Sequence, residues 1–360
     1  MDNNLNNNRI TSLDGLKAIM LFVIFFWHIQ AKPRETLILN HFIDFGARTC
    51  EILFIISGFL VGYKYYKNTM PATLKQSLNY VSKKISLVWP LHFICFVMLF
   101  IHYMNNDPNF INSSSIYQAI VNVFLLQTWI GYAFSYNGAT WFISALLFCY
   151  FLTPFMLPIL HKSRKIIITT LVSCIIIRIG LELSSLSGLN FLNFNFHTSP
   201  IIRCLEFFIG MLMVPAYYNL ISRLNLSTTT MSILEILITA SYMFIAFKME
   251  GKWIRGYFVL AACILVFIYT FNKGMLSKLL SMKIFRLFSK IQMEFYILHQ
   301  VVIKLLTFHI STIFDSIIVQ SILLFCITAV LSILYNHFLK QKLAVYVDNI
   351  FQSITNILHF

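Results

Sequence analysis

Long apolar runs, separated by short segments that carry most of the lysines and arginines, occupy residues 13–31, 48–63, 85–103, 140–160, 166–183, 200–216, 231–247, 254–271, 291–311 and 317–338. A helix of about 20 apolar residues crosses the hydrocarbon core of a bilayer. The pattern therefore predicts an all-α polytopic membrane protein of ten transmembrane helices. The strict alternation of a membrane β-barrel strand is missing. An eleventh run, Ile116 to Ile130, is shorter and holds Gln118, Asn122 and Gln127. Its length and polarity predict a re-entrant or interfacial helix instead of a span.

Composition agrees with this pattern. The 360-residue chain is 58% hydrophobic and 11% charged, with 36 Phe and 17 Tyr. Soluble domains average about 25% charged residues, and a disordered chain is poorer still in apolar side chains. The net charge of +14 would point to nucleic acid in a soluble protein. Here the basic residues lie between apolar runs, so membrane topology explains them and no nucleic-acid partner is expected.

With ten spans and the N-terminus in the cytoplasm, seventeen of the 27 Lys and Arg fall on the cytoplasmic side, five on the other, and five within spans. Counting 116–130 as a span would move eleven of the inner charges outward. The positive-inside rule therefore predicts both termini in the cytoplasm. One membrane domain is expected over residues 1–345, with a cytoplasmic tail at 346–360 and a frayed start at Asp2 to Asn8. The seven cysteines sit in or beside apolar runs without metal-ligand spacing, and read as small buried hydrophobes with no metal site.

Ionisable groups at lipid depth are costly and mark function. The first run carries Asp14, Lys17 and His28. Eleven residues put Lys17 and His28 about 16 Å apart on nearly one helix face, a cation near one end and an imidazole near the other. Asp14 with Gly15 is expected to cap the helix start.

Five segments carry a resemblance. They are Ser12-Leu-Asp-Gly-Leu-Lys17 running on to His28; Glu51 followed by Ser57-Gly58-Phe59-Leu60; Trp141-Phe-Ile-Ser144 through Tyr150 and Pro154; Arg203-x-x-Glu206-Phe-Phe-x-Gly210; and Glu294-Phe-Tyr296-x-x-His299. In this order they resemble the membrane acyltransferase 3 family, whose members include bacterial O-acyltransferases of cell-surface polysaccharides. Lys17 stands at the family's usual arginine. Two departures are visible: Ala145, Leu146 and Leu147 replace an acidic stretch common in the family, and its Arg-x-x-Arg pair becomes Lys84 and Leu87.

The resemblance implies transfer of an acyl group, usually acetyl from acetyl-coenzyme A, to a hydroxyl of a glycan or lipid-linked sugar at a bacterial inner membrane. Lys17, Lys83 and Lys84 are then expected to receive the donor's phosphates. His28 is the expected general base, suited by an ordinary pKa near 6.5, and Glu51 the group that orients it. Trp141, Tyr296, His299, Arg203 and Glu206 are expected on the acceptor side, although Arg203 and Glu206 also read as a helix-face ion pair. The Ser57-Gly58 step reads as a small-residue packing site, since it lacks the strand–turn–helix setting of a nucleophile elbow. A channel through the bundle is expected to join Lys17 to His28. A polysaccharide exporter or flippase shares this hydropathy, but no internal repeat is visible. A glycan polymerase would want a large outer loop, and residues 104–139 hold one acid, Asp107, and no Lys or Arg.

Overall fold

In the computed structural model, residues 9–29, 45–186, 195–221, 223–224, 226–247 and 252–357 are described. The asparagine-rich start and the loop charges Lys32, Arg34 and Lys248 lie outside them. Every described element is helical, and the described residues of the ten apolar runs lie mainly on helix. Seven helical stretches among the described residues are long and apolar enough to cross a bilayer.

In chain order the first helices are α1 (Thr11–Ile29), α2 (Thr49–Tyr65), α3 (Leu74–Asn106), α4 (Ser113–Val123), α5 (Trp141–Met156), α6 (Arg164–Leu186) and α7 (Pro200–Leu212). Then follow α8 (Val214–Ile221), α9 (Thr228–Phe247), α10 (Lys252–Thr270), α11 (Met275–Leu280), α12 (Lys283–Phe288), α13 (Gln292–Ser311), α14 (Ile317–Phe338) and α15 (Lys340–Ile357). Helix α15 runs unbroken through residue 345, where the sequence divides domain from tail, and packs on α3.

Helix α3 is 33 residues long, about 50 Å, well beyond the roughly 30 Å of hydrocarbon. Its polar first turns, opened by the Thr73 cap, carry Lys83 and Lys84 beyond the apolar stretch. The 116–130 run folds differently from the long spans. Helix α4 has only 11 residues, and the chain then turns through Leu125 and Tyr136, both at positive φ. Irregular backbone at such depth must be satisfied by protein. Here the Tyr136 hydroxyl donates to the Ser115 carbonyl (2.8 Å), Gln127 to Thr140 (3.1 Å) and Asn137 to the Ile297 carbonyl (2.8 Å).

Close backbone contact fixes α2 against α7. A Cβ on Gly58 would lie 1.7 Å from the Phe207 carbonyl oxygen, and one on Gly210 2.0 Å from that of Ile55. The small residue that the packing needs is thus Gly58, while the Ser57 hydroxyl is spent on the Leu53 carbonyl (2.6 Å). Helix α1 is not capped by Asp14. Asn272 accepts from the Ser12 amide (3.0 Å), while Asp14 binds Arg9 and Lys17. Gly15 is pressed on the Leu280 backbone, and the Gln292 side chain donates to the Asp14 carbonyl (2.9 Å). These ties, with Phe25 packed on Phe295, hold α1 along α13 and thereby set His28 beside His299.

Candidate active site

Two cavities lie along α1. The larger, about 350 Å³, is basic: Lys17, Lys64 and Lys84 line it with Ser57, Tyr80, Tyr150 and Tyr296. Lys17 is 3.3 Å from the Asp14 carboxylate. The Lys84 ammonium sits 5.3 Å from the Tyr80 ring centre and 5.1 Å from that of Tyr150, within cation–π range. Lys83 is exposed on the other side of its helix and takes no part in this cavity. Lys64, which motif reading passed over as one more topology charge, does.

The second cavity, about 170 Å³, holds His28, Trp141, His197, Tyr296, Gln300, Lys304 and Cys50. Its hydrogen bonds assign the imidazole tautomers. His299 Nδ1 lies 2.6 Å from the Tyr296 carbonyl oxygen, which only accepts, so Nδ1 carries the proton and Nε2 a lone pair. His28 Nδ1 lies 2.9 Å from the Ile24 carbonyl and 3.2 Å from His299 Nε2, so its N–H is shared between those two acceptors. The lone pair of neutral His28 is therefore on Nε2. The ring is held from one side by two acceptors, as a general base must be held to remain in the right tautomer.

Glu51 does not orient His28. Its Oε1 accepts from Arg48 (2.8 Å) and lies 3.3 Å from Arg178. It belongs to a buried network in which Arg178 also binds Glu182 and Glu206 (2.7 Å each), and Arg48 binds Glu182 (2.7 Å). The orienting contact expected of Glu51 is made by His299, which stands behind His28 instead of lining the cavity. Arg203 and Glu206 are also buried, 1% and 0% exposed, and face each other at 2.7 and 2.9 Å, so neither lines the cavity. Arg203 acts on the site from behind: its Nε donates to the His197 carbonyl (2.8 Å), and its guanidinium lies 5.7 Å from the Trp141 ring centre.

His197 is a site residue that no motif signalled. Its ring is 4.8 Å from that of Trp141, and its Nδ1 accepts from Arg203 Nη2 (3.3 Å). That leaves Nε2–H as a donor. Burial, then the Arg203 cation, push its pKa down to about 3, so the ring is neutral near pH 7. Lys304 was visible only as an intramembrane cation. It donates to the Tyr103 hydroxyl (2.9 Å) and the Tyr136 carbonyl (2.5 Å), and among the described residues no carboxylate lines its cavity.

The family model for the acyltransferase domain of the acyltransferase 3 family matches residues 10–337. The chain belongs to this family. No curated protein and no solved structure matches it. This acyltransferase brings His28, Trp141 and Tyr296 of its motifs to one cavity, and Lys17 and Lys84 to another. The expected continuous channel is not what the described residues form. Lys17 and His28 line separate cavities, and Tyr296 lines both. Among the described residues no group of three or more His, Cys, Asp or Glu is arranged to hold a metal ion.

Proposed function

We propose that this acyltransferase transfers an acyl group, acetyl from acetyl-coenzyme A, to a hydroxyl of a cell-surface carbohydrate, with His28 as general base. One observation carries the reading: His28 is locked with Nδ1–H turned to Ile24 and His299, leaving its Nε2 lone pair for a substrate proton. As a sugar hydroxyl attacks the thioester carbonyl, Nε2 takes the hydroxyl proton and the C–O bond forms. The tetrahedral intermediate then collapses, the C–S bond breaks, and the imidazolium returns the proton to the departing sulfur. The products are an ester and coenzyme A.

The basic cavity suits the donor. Lys17, Lys64 and Lys84 offer three ammonium groups to the phosphates of coenzyme A, and the excess of lysine and arginine around that end agrees with a cytoplasmic mouth. The His28 cavity suits a sugar, with Trp141 for stacking, and the His197 Nε2–H, Gln300 and Lys304 for hydroxyl oxygens. In this reading the protein sits in a bacterial plasma membrane, and the acceptor arrives from outside.

The test is mass spectrometry of intact surface polysaccharide from cells with the wild-type gene, His28→Ala, or no copy. The expected result is a base-labile acyl mass with the wild type alone, at equal protein levels. Equal acylation in all three strains overturns the reading. Glycan that is absent or shortened without the gene points instead to export or polymerisation.

A further inference from the structure

We infer that the Tyr296 side chain is the gate between the two cavities, closed in this structure, and that the acyl thioester reaches His28 only when the ring swings aside. Three observations carry this. Tyr296 lines both the basic cavity and the His28 cavity. Its ring is 4% exposed and packs between Phe142 (5.3 Å) and His299 (5.5 Å). The basic cavity beside it, about 350 Å³, has room for a displaced phenol ring.

Position gives the gate its use. Tyr296 and His299 are three residues apart on α13, and the Tyr296 carbonyl is the acceptor that fixes the His299 tautomer. The backbone that carries the ring is thereby tied to the histidine pair, while the ring can leave its place beside Phe142 by turning about its side-chain bonds to another staggered rotamer. Closed, it keeps water of the His28 cavity from the thioester, and keeps a protein with two opposed cavities from leaking protons or ions. Open, it joins them over the short distance that separates the donor from the base.

The use of the gate rests on the acyl-transfer reading, but its existence does not, so the experiment reads the cavities directly. Cys50 is a native thiol in the His28 cavity. In sealed vesicles, a small membrane-impermeant methanethiosulfonate is applied from either side, and the Cys50 peptide is quantified by mass spectrometry. Ser57→Cys, in the basic cavity, reports that the reagent enters there. Wild type and Tyr296→Phe are expected to react at Cys50 from the His28 side only. Tyr296→Ala is expected to react from both sides, at least tenfold faster than wild type from the basic side. Phe142→Ala, which removes the ring's support, is expected to do the same in part, and serves if Tyr296→Ala does not fold.

Equal reaction of wild-type Cys50 from both sides overturns the gate, as does an unchanged pattern in the two opening variants. In the transfer assay, Tyr296→Ala is expected to raise acetyl-coenzyme A hydrolysis without acceptor above the wild-type level. A loss of a hundredfold or more in Tyr296→Phe would assign the hydroxyl to the chemistry and overturn a purely gating role. Opening of the labelling pattern with no acyl transfer in any variant would sustain the gate while removing the function proposed above.

Discussion

Two clusters of polar side chains lie in the same bundle and meet burial in opposite ways. In the first, Arg48, Arg178 and Arg203 face Glu51, Glu182 and Glu206, each charge within 3.3 Å of an opposite one. Three cations and three anions cancel, and they tie α2, α6 and α7 together, with only Arg48 partly exposed. In the second, His28 and His299 bond to backbone carbonyls and to each other, with no acid at their rings among the described residues. The first cluster spends its charges on one another, although Glu51 Oε2 and Arg178 Nη2 make no hydrogen bond among the described residues. The second keeps one lone pair unspent among the described residues, which in the proposed function is what a general base for acyl transfer requires. Opposed charges mark the scaffold here, and in the proposed function the neutral histidine pair marks the reactive end.

The contrast is broken most directly at His28. His28→Gln should lower kcat by about 10²–10⁴-fold, the usual contribution of a general base, with an unchanged melting temperature in detergent. Retained turnover at saturating donor would remove the distinction between the clusters. The opposite pattern is expected at Arg178, which is 0% exposed. Arg178→Met leaves three carboxylates short of a partner and should cost about 3–5 kcal/mol, so abundance and melting temperature fall together with activity. Arg178→Met with normal stability and lost turnover would make the network part of the chemistry.

His299 sharpens the comparison from within the second cluster. His299→Leu removes one of the two acceptors that hold the His28 N–H, and about a tenfold loss in kcat is expected, with a displaced pH–rate profile. His299→Gln offers an amide oxygen at that place and should recover part of the loss; a purely structural role would leave the pH profile where it is. The smallest effect concerns His197. Its folded-state pKa is lowered to about 3, against about 6.5 when unfolded. The unfolded chain therefore binds more protons between these values, and stability falls as pH drops from about 6.5 toward 3. Melting temperatures between pH 7 and pH 5 should decline, and His197→Asn should flatten the decline; a slope unchanged in that variant would assign the pH dependence elsewhere.

The sequence by itself determined the helical architecture, because apolar runs of fixed length leave a membrane chain few alternatives to helix. It also picked out His28, Tyr296, Trp141, Lys17 and Lys84, since each belongs to an ordered set of motifs or interrupts an apolar face. It separated the 116–130 run from the long spans through its internal amides. Tertiary structure alone decided the partners. Glu51 is three residues from Arg48, and nothing local says whether it turns to that arginine, to Arg178 or to a histidine on another helix. Lys83 and Lys84 are adjacent, yet a helix advances about 100° per residue and only one faces the cavity. His197 lies in a loop without periodicity, brought to the site by Arg203 on the helix that follows. The division of the path at Tyr296 is likewise absent from any linear pattern, because a cavity wall is made by several helices at once, and its position depends on how closely glycines such as Gly15 and Gly58 let their backbones approach.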